Sequence, residues 1–265
     1  LTAFINIAGL AFAMLCALMI YLFIQDELHY DRHHSKADRI YRMTRNFLSP
    51  DGSVNLHLGH LAPPFGPLLK NDFTDFEEVA RTLQARVLVA HQENAEEQKA
   101  FNEENLFYAE PELFKIFDIH ITEGNEDKLL HDPFTLMLSE KTAKKYFGDV
   151  NPVGETLLLS GDHSYKVVGV VKDFPEHSHL RFNMLVPYDD MFDLEDAQTE
   201  AVLRNNLSRN FIISHSYTYV MLKPGSTPDN INKGMDEFLK KYAMPNFLIG
   251  QVFTLMPVKD IHLKS

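Results

Sequence analysis

Residues Ile7–Ile24 read IAGLAFAMLCALMIYLFI, and the chain then turns abruptly polar at Gln25-Asp26-Glu27. This uncharged run is about 18 residues long, Phe4 and Ile5 extend it past Asn6, and about 20 apolar residues in a helix span a hydrocarbon core. A secretory signal would have a basic start, a shorter apolar run and a small-residue exit, none of which is present. The stretch therefore reads as a transmembrane helix. Gly9, Ala13 and Ala17 recur at i, i+4 and i+8. Such a stripe is either a face for close helix packing or the ordinary abundance of Gly and Ala in membrane helices. No basic flank fixes the orientation, but the acidic exit favours an extracytoplasmic body. The chain opens at Leu1 without Met and reads as a segment of a longer protein lacking its cytoplasmic leader.

The rest of the chain is different in kind. Of 265 residues, 25 are Lys or Arg and 37 are Asp or Glu, a net charge of −12 that lies wholly beyond residue 24. An acidic body of this size is large enough for one or two cores, and it lacks the clustered cations that a nucleic-acid backbone requires. The single cysteine, Cys16, lies inside the apolar run, so the body holds no disulfide and no thiolate metal site. It folds on packing alone.

Residues 25–39 are polar, free of Gly and Pro, and predict that the first helix continues outward as a stalk to about Ser35. Strands are expected at Arg39–Leu48, Val79–Leu83, Arg86–His91, Leu106–Ala109, Phe134–Leu138, Leu157–Leu159, Tyr165–Val171, Arg181–Pro187, Ser216–Leu222 and Gly250–Met256. Pro50-Asp51-Gly52 and Ser160-Gly161-Asp162 read as turns, and residues 92–105 as an exposed hairpin or boundary. Helices are expected in Leu61–Leu69, in Pro111–Phe117, and in Glu140–Phe147 between a Ser139 cap and Gly148. Another follows Thr227-Pro228, where Ile231, Met235, Phe238, Leu239 and Tyr242 form one apolar stripe. A strand–helix–strand unit thus stands at each end of a β-rich middle. The fold class is α+β, with one domain inserted into another.

Catalytic signatures are absent: there is no P-loop, no dinucleotide fingerprint, no H-E-x-x-H and no nucleophile elbow. His29 and His33 could share a helical face, but no third ligand accompanies them and a solvated helix is the default. His177-Ser178-His179 suits a turn held by side-chain to backbone bonds. The adjacent pairs Asp189-Asp190 and Glu103-Glu104 point apart, and Asn206-Leu207-Ser208 is too common a pattern to weigh. Neither a cofactor nor a metal is expected, and no residue is assigned to catalysis.

Two stretches carry a resemblance. The first is the apolar helix followed by Asp26-Glu27-Leu28, Tyr30-Asp31-Arg32 and Asp38-Arg39-Ile40-Tyr41-Arg42. The second runs from Ser139-Glu140 through Ala143, Lys144, Phe147-Gly148, Asn151-Pro152, Gly154 and Thr156. It ends in Val168-Gly169-Val170-Val171, Asp173-Phe174-Pro175 and Ser178-His179. In this order they resemble the MacB/FtsX-like ABC transporter permeases, in the form abundant in Bacteroidota, over essentially the whole chain. His33-His34 departs from that pattern, where an aromatic and a His are expected.

The resemblance implies a periplasmic core between two membrane helices, with the protein in the inner membrane and its body in the periplasm. Residues 1–36 would be the membrane helix and stalk, 37–92 plus 215–265 a Porter-like subdomain, and 93–214 an inserted Sabre-like subdomain. It implies a permease homodimer, a cytoplasmic ABC ATPase in a separate chain or domain, and a periplasmic adaptor or cargo protein. Asp26, Glu27, Tyr30, Asp31, Arg32 and Arg39 would couple the stalk to the body. Phe147, Gly148, Asn151, Pro152, Gly154, Gly169, Asp173, Pro175 and His179 would be structural. The function implied is transmission of ATP-driven movement, for efflux or export, by a chain that is not itself an enzyme. A ligand-sensing receptor domain and a membrane-tethered enzyme are the alternatives.

Overall fold

The computed structural model describes residues 2–92, 98–125, 129–161, 163–193, 197–242 and 250–264. Helix α1 (Thr2–Glu27) has no buried residue and is long and apolar enough to cross a membrane. Strands β1 (Ile40–Leu48) and β2 (Val54–Leu58) form a hairpin across the Pro50–Gly52 turn, where Gly52 has φ +84°. Helix α2 (Phe65–Asp72) follows, then β3 (Phe76–Gln92), β4 (Gln98–Ala109), the short α3 (Leu113–Ile116) and β5 (Ile121–Gly124). Next come β6 (Thr135–Ser139), α4 (Glu140–Phe147), β7 (Thr156–Leu159), β8 (His163–Val171) and β9 (Met184–Pro187). The chain closes with α5 (Asp190–Asp193), α6 (Ala197–Arg209), β10 (Tyr217–Leu222), α7 (Pro228–Tyr242), β11 (Gln251–Pro257) and α8 (Ile261–Lys264).

The strands join in one mixed sheet, ordered β11-β1-β10-β3-β4-β9-β6-β8-β5, with β2 on β1 and β7 bridging β3 and β8. The fold is α+β, as the patterning implied. β4–β9 and β6–β8 are parallel pairs and the others antiparallel. Three apolar clusters cover the sheet. One lies under α2 and α7, where Leu69, Ile231, Met235 and Phe238 meet Met43 and Val220. A second lies under α4, where Tyr146 and Phe147 meet Leu136, Leu157 and Tyr165. The third draws Ile40, Tyr219, Met221 and Val258 together with Leu113, Phe117, Met137 and Leu185. Burying apolar side chains at about 25 cal/mol per Å2 drives this assembly.

Local chemistry explains several boundaries. Ser139 accepts a hydrogen bond from the Thr142 N–H at 3.3 Å, and Gly148 (φ +65°) ends α4 by donating its N–H to the Lys144 carbonyl at 2.9 Å. The two runs expected at Val79–Leu83 and Arg86–His91 are a single strand. A bulge between Ala85 and Val87 absorbs the break while Gln84 and Arg86 stay exposed. Asp162 and residues 93–97, within the expected turn and hairpin, lie outside the described residues. Helix α6 carries no cap or apolar stripe that the sequence reading recognised.

The stalk differs from expectation. Helix α1 stops at Glu27, and residues 28–36 run in tight turns in place of helix to Ser35. Leu28 still donates to the Ile24 carbonyl at 3.1 Å, but the Asp31 N–H donates to the His177 carbonyl at 2.9 Å. Asp31 itself sits at φ +56°, a left-handed conformation that an α-helix cannot propagate. Tertiary bonding outweighs the helix-compatible composition. His29 and His33 therefore share no helical face.

Candidate functional site

Four of the six residues expected to couple stalk and body, Asp26, Glu27, Tyr30 and Asp31, meet the body where α1 leaves the apolar run. Asp26 approaches His177 at 3.3 Å, and Glu27 pairs with His262 of α8 at 2.7 Å. Between them Tyr30 stacks flat on His262, rings 3.5 Å apart, and meets His177 edge-on at 5.6 Å. Arg32 is exposed. Asp38 pairs with Lys259, and Arg39 reaches Glu77 at 2.5 Å and the Leu222 carbonyl at 2.8 Å. The end of α1 is thus held by the loop after β8 and by the last turn of the described chain.

Asp31 is the centre of this junction and is fully buried. Its Oδ1 accepts from the Ser178 hydroxyl at 3.2 Å and the His179 N–H at 3.0 Å, and lies 2.8 Å from His179 Nδ1. His179 Nε2 lies 3.0 Å from the Tyr219 hydroxyl, which carries the string of contacts to central strand β10. Burial alone would raise the Asp31 pKa. The bonds from His179 and Ser178 and the His179 charge outweigh it and hold the carboxyl below its ordinary range. Desolvation raises the pKa of the Tyr219 phenol, which stays neutral.

A second tie lies alongside. The Ser35 N–H and hydroxyl both donate to the Asp118 carboxylate, and the Asp118 N–H donates to His34 Nδ1 at 3.3 Å. His34 packs edge-on against Phe117, with ring centroids 5.0 Å apart. Burial, reinforced by neighbouring His33, pushes the His34 pKa down to about 4, so it is neutral at pH 7.

The motif residues of the second stretch lie farther along the sheet. Asn151 Oδ1 accepts from the Val153 N–H at 2.8 Å, an Asx turn beside buried Pro152, and Gly154 (φ +99°) donates to the Val167 carbonyl. A side chain at Gly169 would come 2.9 Å from the Glu123 carbonyl oxygen, so only glycine lets β5 lie against β8 there. Phe147 packs 4.4 Å from His91. Asp173 accepts from the Lys141 N–H at 3.2 Å in the first turn of α4, and the exposed Pro175 leads into His177–His179. Gly9, Ala13 and Ala17 are exposed on α1.

Reasoning from sequence missed His34, Asp118, Tyr219, Lys259 and His262. Glu27 and His262 stand 235 positions apart, and no local pattern links them. Among the described residues no group of three or more His, Cys, Asp or Glu side chains is arranged to hold a metal ion.

Residues 3–238 match the model of the MacB-like periplasmic core domain family. No curated protein matches the chain. Among solved structures, a domain described as that of a permease protein from Porphyromonas gingivalis aligns with a TM-score of 0.67 at 22% identity, covering 86% of this chain and 92% of that one. The periplasmic region of MacB from Actinobacillus actinomycetemcomitans aligns with a TM-score of 0.54 at 18% identity, covering 83% and 90%. The extracellular domain of the noncanonic ABC-type transporter YknZ from Gram-positive bacteria gives 0.50 at 13% identity, covering 82% and 99%. At these identities the likeness is one of fold.

Proposed function

The chain belongs to the MacB-like periplasmic core domain family, as the periplasmic domain of an ABC-type transporter permease, and from that premise we propose that it transmits ATP-driven movement from α1 to its body. The observation that carries this reading is the junction: Asp26, Glu27, Tyr30 and Asp31, four of the six residues around the helix end, each touch the 177–179 loop or α8. A helix held at its end this way cannot tilt or rotate without moving the body. Helix α1, with 26 residues rising about 1.5 Å each, is roughly 39 Å long and serves as the rigid arm. The lever is this arm plus a folded clasp, in place of one longer helix.

In this reading the protein sits in the inner membrane with its body in the periplasm. It works as a homodimer with a cytoplasmic ABC ATPase and acts on a periplasmic adaptor or cargo, in efflux or export. It performs no chemistry of its own. Carboxylate, imidazole and phenol do line up in Asp31, His179 and Tyr219, but Tyr219 is only 2% exposed, so no substrate reaches its hydroxyl.

Spin labels on α1 at Leu22→Cys and on the body at Phe101→Cys, in a Cys16→Ser background of the intact transporter, test the coupling. ATP is expected to change the distance distribution, and Asp31→Ala is expected to abolish that change in a sample that still hydrolyses ATP. A change that survives Asp31→Ala overturns the reading.

A further inference from the structure

A cleft of about 620 Å3 opens where the turn after α1 meets the segment after β8. It is lined by His33, His120 and Lys172, together with Asp118, Asp173 and Phe117. None of the three bases pairs with a carboxylate among the described residues, and Lys172 and His120 meet only through the backbone, Lys172 N–H to His120 carbonyl at 2.8 Å. The two acids differ. Asp118 already accepts from Ser35 and Asp173 from the Lys141 N–H, yet a carboxylate has about four acceptor sites, so each keeps capacity toward the cleft. The cleft thus offers a lysine cation and imidazole nitrogens together with two carboxylate acceptors.

That is the complement of a phosphoryl group carrying a primary ammonium. The position narrows the source. His33 follows Glu27 by only six residues in tight turns, so a fully extended chain would place it at most about 20 Å from the helix end, within reach of the lipid surface. We propose that this cleft binds the phosphoethanolamine headgroup of a membrane lipid, its phosphate against Lys172 and His120 and its ammonium toward Asp118 and Asp173. A bound headgroup would sit between the 33–35 turn and the 172–175 segment, the two strands of chain that the clasp holds together. The proposal rests on α1 lying in a membrane, but it does not need the clasp to transmit movement.

Lipid retention by the full chain, taken from nanodiscs of phosphatidylethanolamine, phosphatidylcholine or phosphatidylglycerol and read by native mass spectrometry, tests the lipid source. Calorimetric titration of the detergent-solubilised chain with phosphoethanolamine, phosphocholine and inorganic phosphate tests the site without a bilayer. Phosphatidylethanolamine is expected to be retained over both other lipids, because the choline ammonium has no N–H to donate and the glycerol headgroup has no cation. Soluble phosphoethanolamine is expected to bind more tightly than phosphate, and Lys172→Ala or His120→Ala to weaken it by about tenfold, the value of one charge-assisted hydrogen bond. Both side chains are exposed, so the variants keep the native melting temperature as a folding control. Equal retention of the three lipids overturns the lipid source, and phosphate binding as well as phosphoethanolamine overturns the role of the acids. Affinity unchanged in both variants overturns the site. A failed distance test at Asp31 leaves all of these readouts standing.

Discussion

Helix α4 and the turn segment from Leu28 to Arg39 are both short and differ in construction. The ends of α4 are closed mainly by near neighbours: the Ser139 hydroxyl receives the Thr142 N–H and the Gly148 N–H returns to Lys144, while Asp173, 32 positions on, adds an acceptor for the Lys141 N–H. The turn segment is closed from far away. Asp31 is held by residues 147 and 148 positions on, Ser35 by one 83 positions on, and Asp38 by one 221 positions on. A cap forms with its helix and can be altered alone, whereas the clasp exists only once the sheet has brought loop and terminus together.

The largest expected effect breaks the clasp. Asp31→Ala leaves the Ser178 hydroxyl and the His179 N–H without their acceptor and removes the carboxylate 2.8 Å from the His179 ring, and should cost about 3–5 kcal/mol in urea unfolding of the body. A loss no larger than that of a surface carboxylate would remove the distinction between the two regions.

Acid should loosen the clasp next. The folded pKa of His34 is depressed to about 4 from 6.5, so its contribution is fully present above pH 6.5 and is lost as pH falls toward 4. Asp31 and Asp118 are also depressed, from a lower starting value of 3.8, so their contributions persist until pH falls below about 4. His34 alone should therefore lower stability by about 2 kcal/mol between pH 7.5 and 5; His33, His57, His60 and His215, also depressed by burial, act in the same direction, and His34→Gln should remove its share of the slope. An unchanged slope in melting curves of the variant would place the titration elsewhere.

In α4, Ser139→Ala should cost about 1 kcal/mol, the usual value of a lost N-cap, and amide exchange should show the loosening confined to its first turn. Spread of that effect to residues 28–39 would contradict the local character of α4. Smallest of all, Glu27→Gln keeps an acceptor for His262 at a partly exposed contact and should change stability by no more than about 0.5 kcal/mol in urea unfolding.

Much of the molecule was legible beforehand. The capped helix Glu140–Phe147 has the bounds its sequence announces, and α7 buries Ile231, Met235, Phe238 and Leu239, four of the five stripe residues. The hairpin of β7 and β8 and the turn at Pro50–Gly52 also follow from nearby residues. Illegible were the long unbroken β3, whose bulge hides in an apparent break, and α6, whose residues carry helix-compatible composition without a boundary signal. The stalk was misread for a related reason. Residues 28–36 have nothing that forbids a helix, and the bonds that fold them into turns come from His177, Ser178, His179 and Asp118.

By itself the sequence determined the uncharged first helix, the acidic body, the α+β class and the motifs that mark the family, because each follows from composition or from residues within a few positions of one another. Only the tertiary structure decided where the arm ends, which histidines meet Asp26, Glu27 and Asp31, and that the last turn of the described chain returns to the first helix. Those contacts join positions up to 235 apart. Their side chains are ordinary polar residues until the sheet supplies burial and proximity, and the free energy that bends the chain after Glu27 comes from those distant partners.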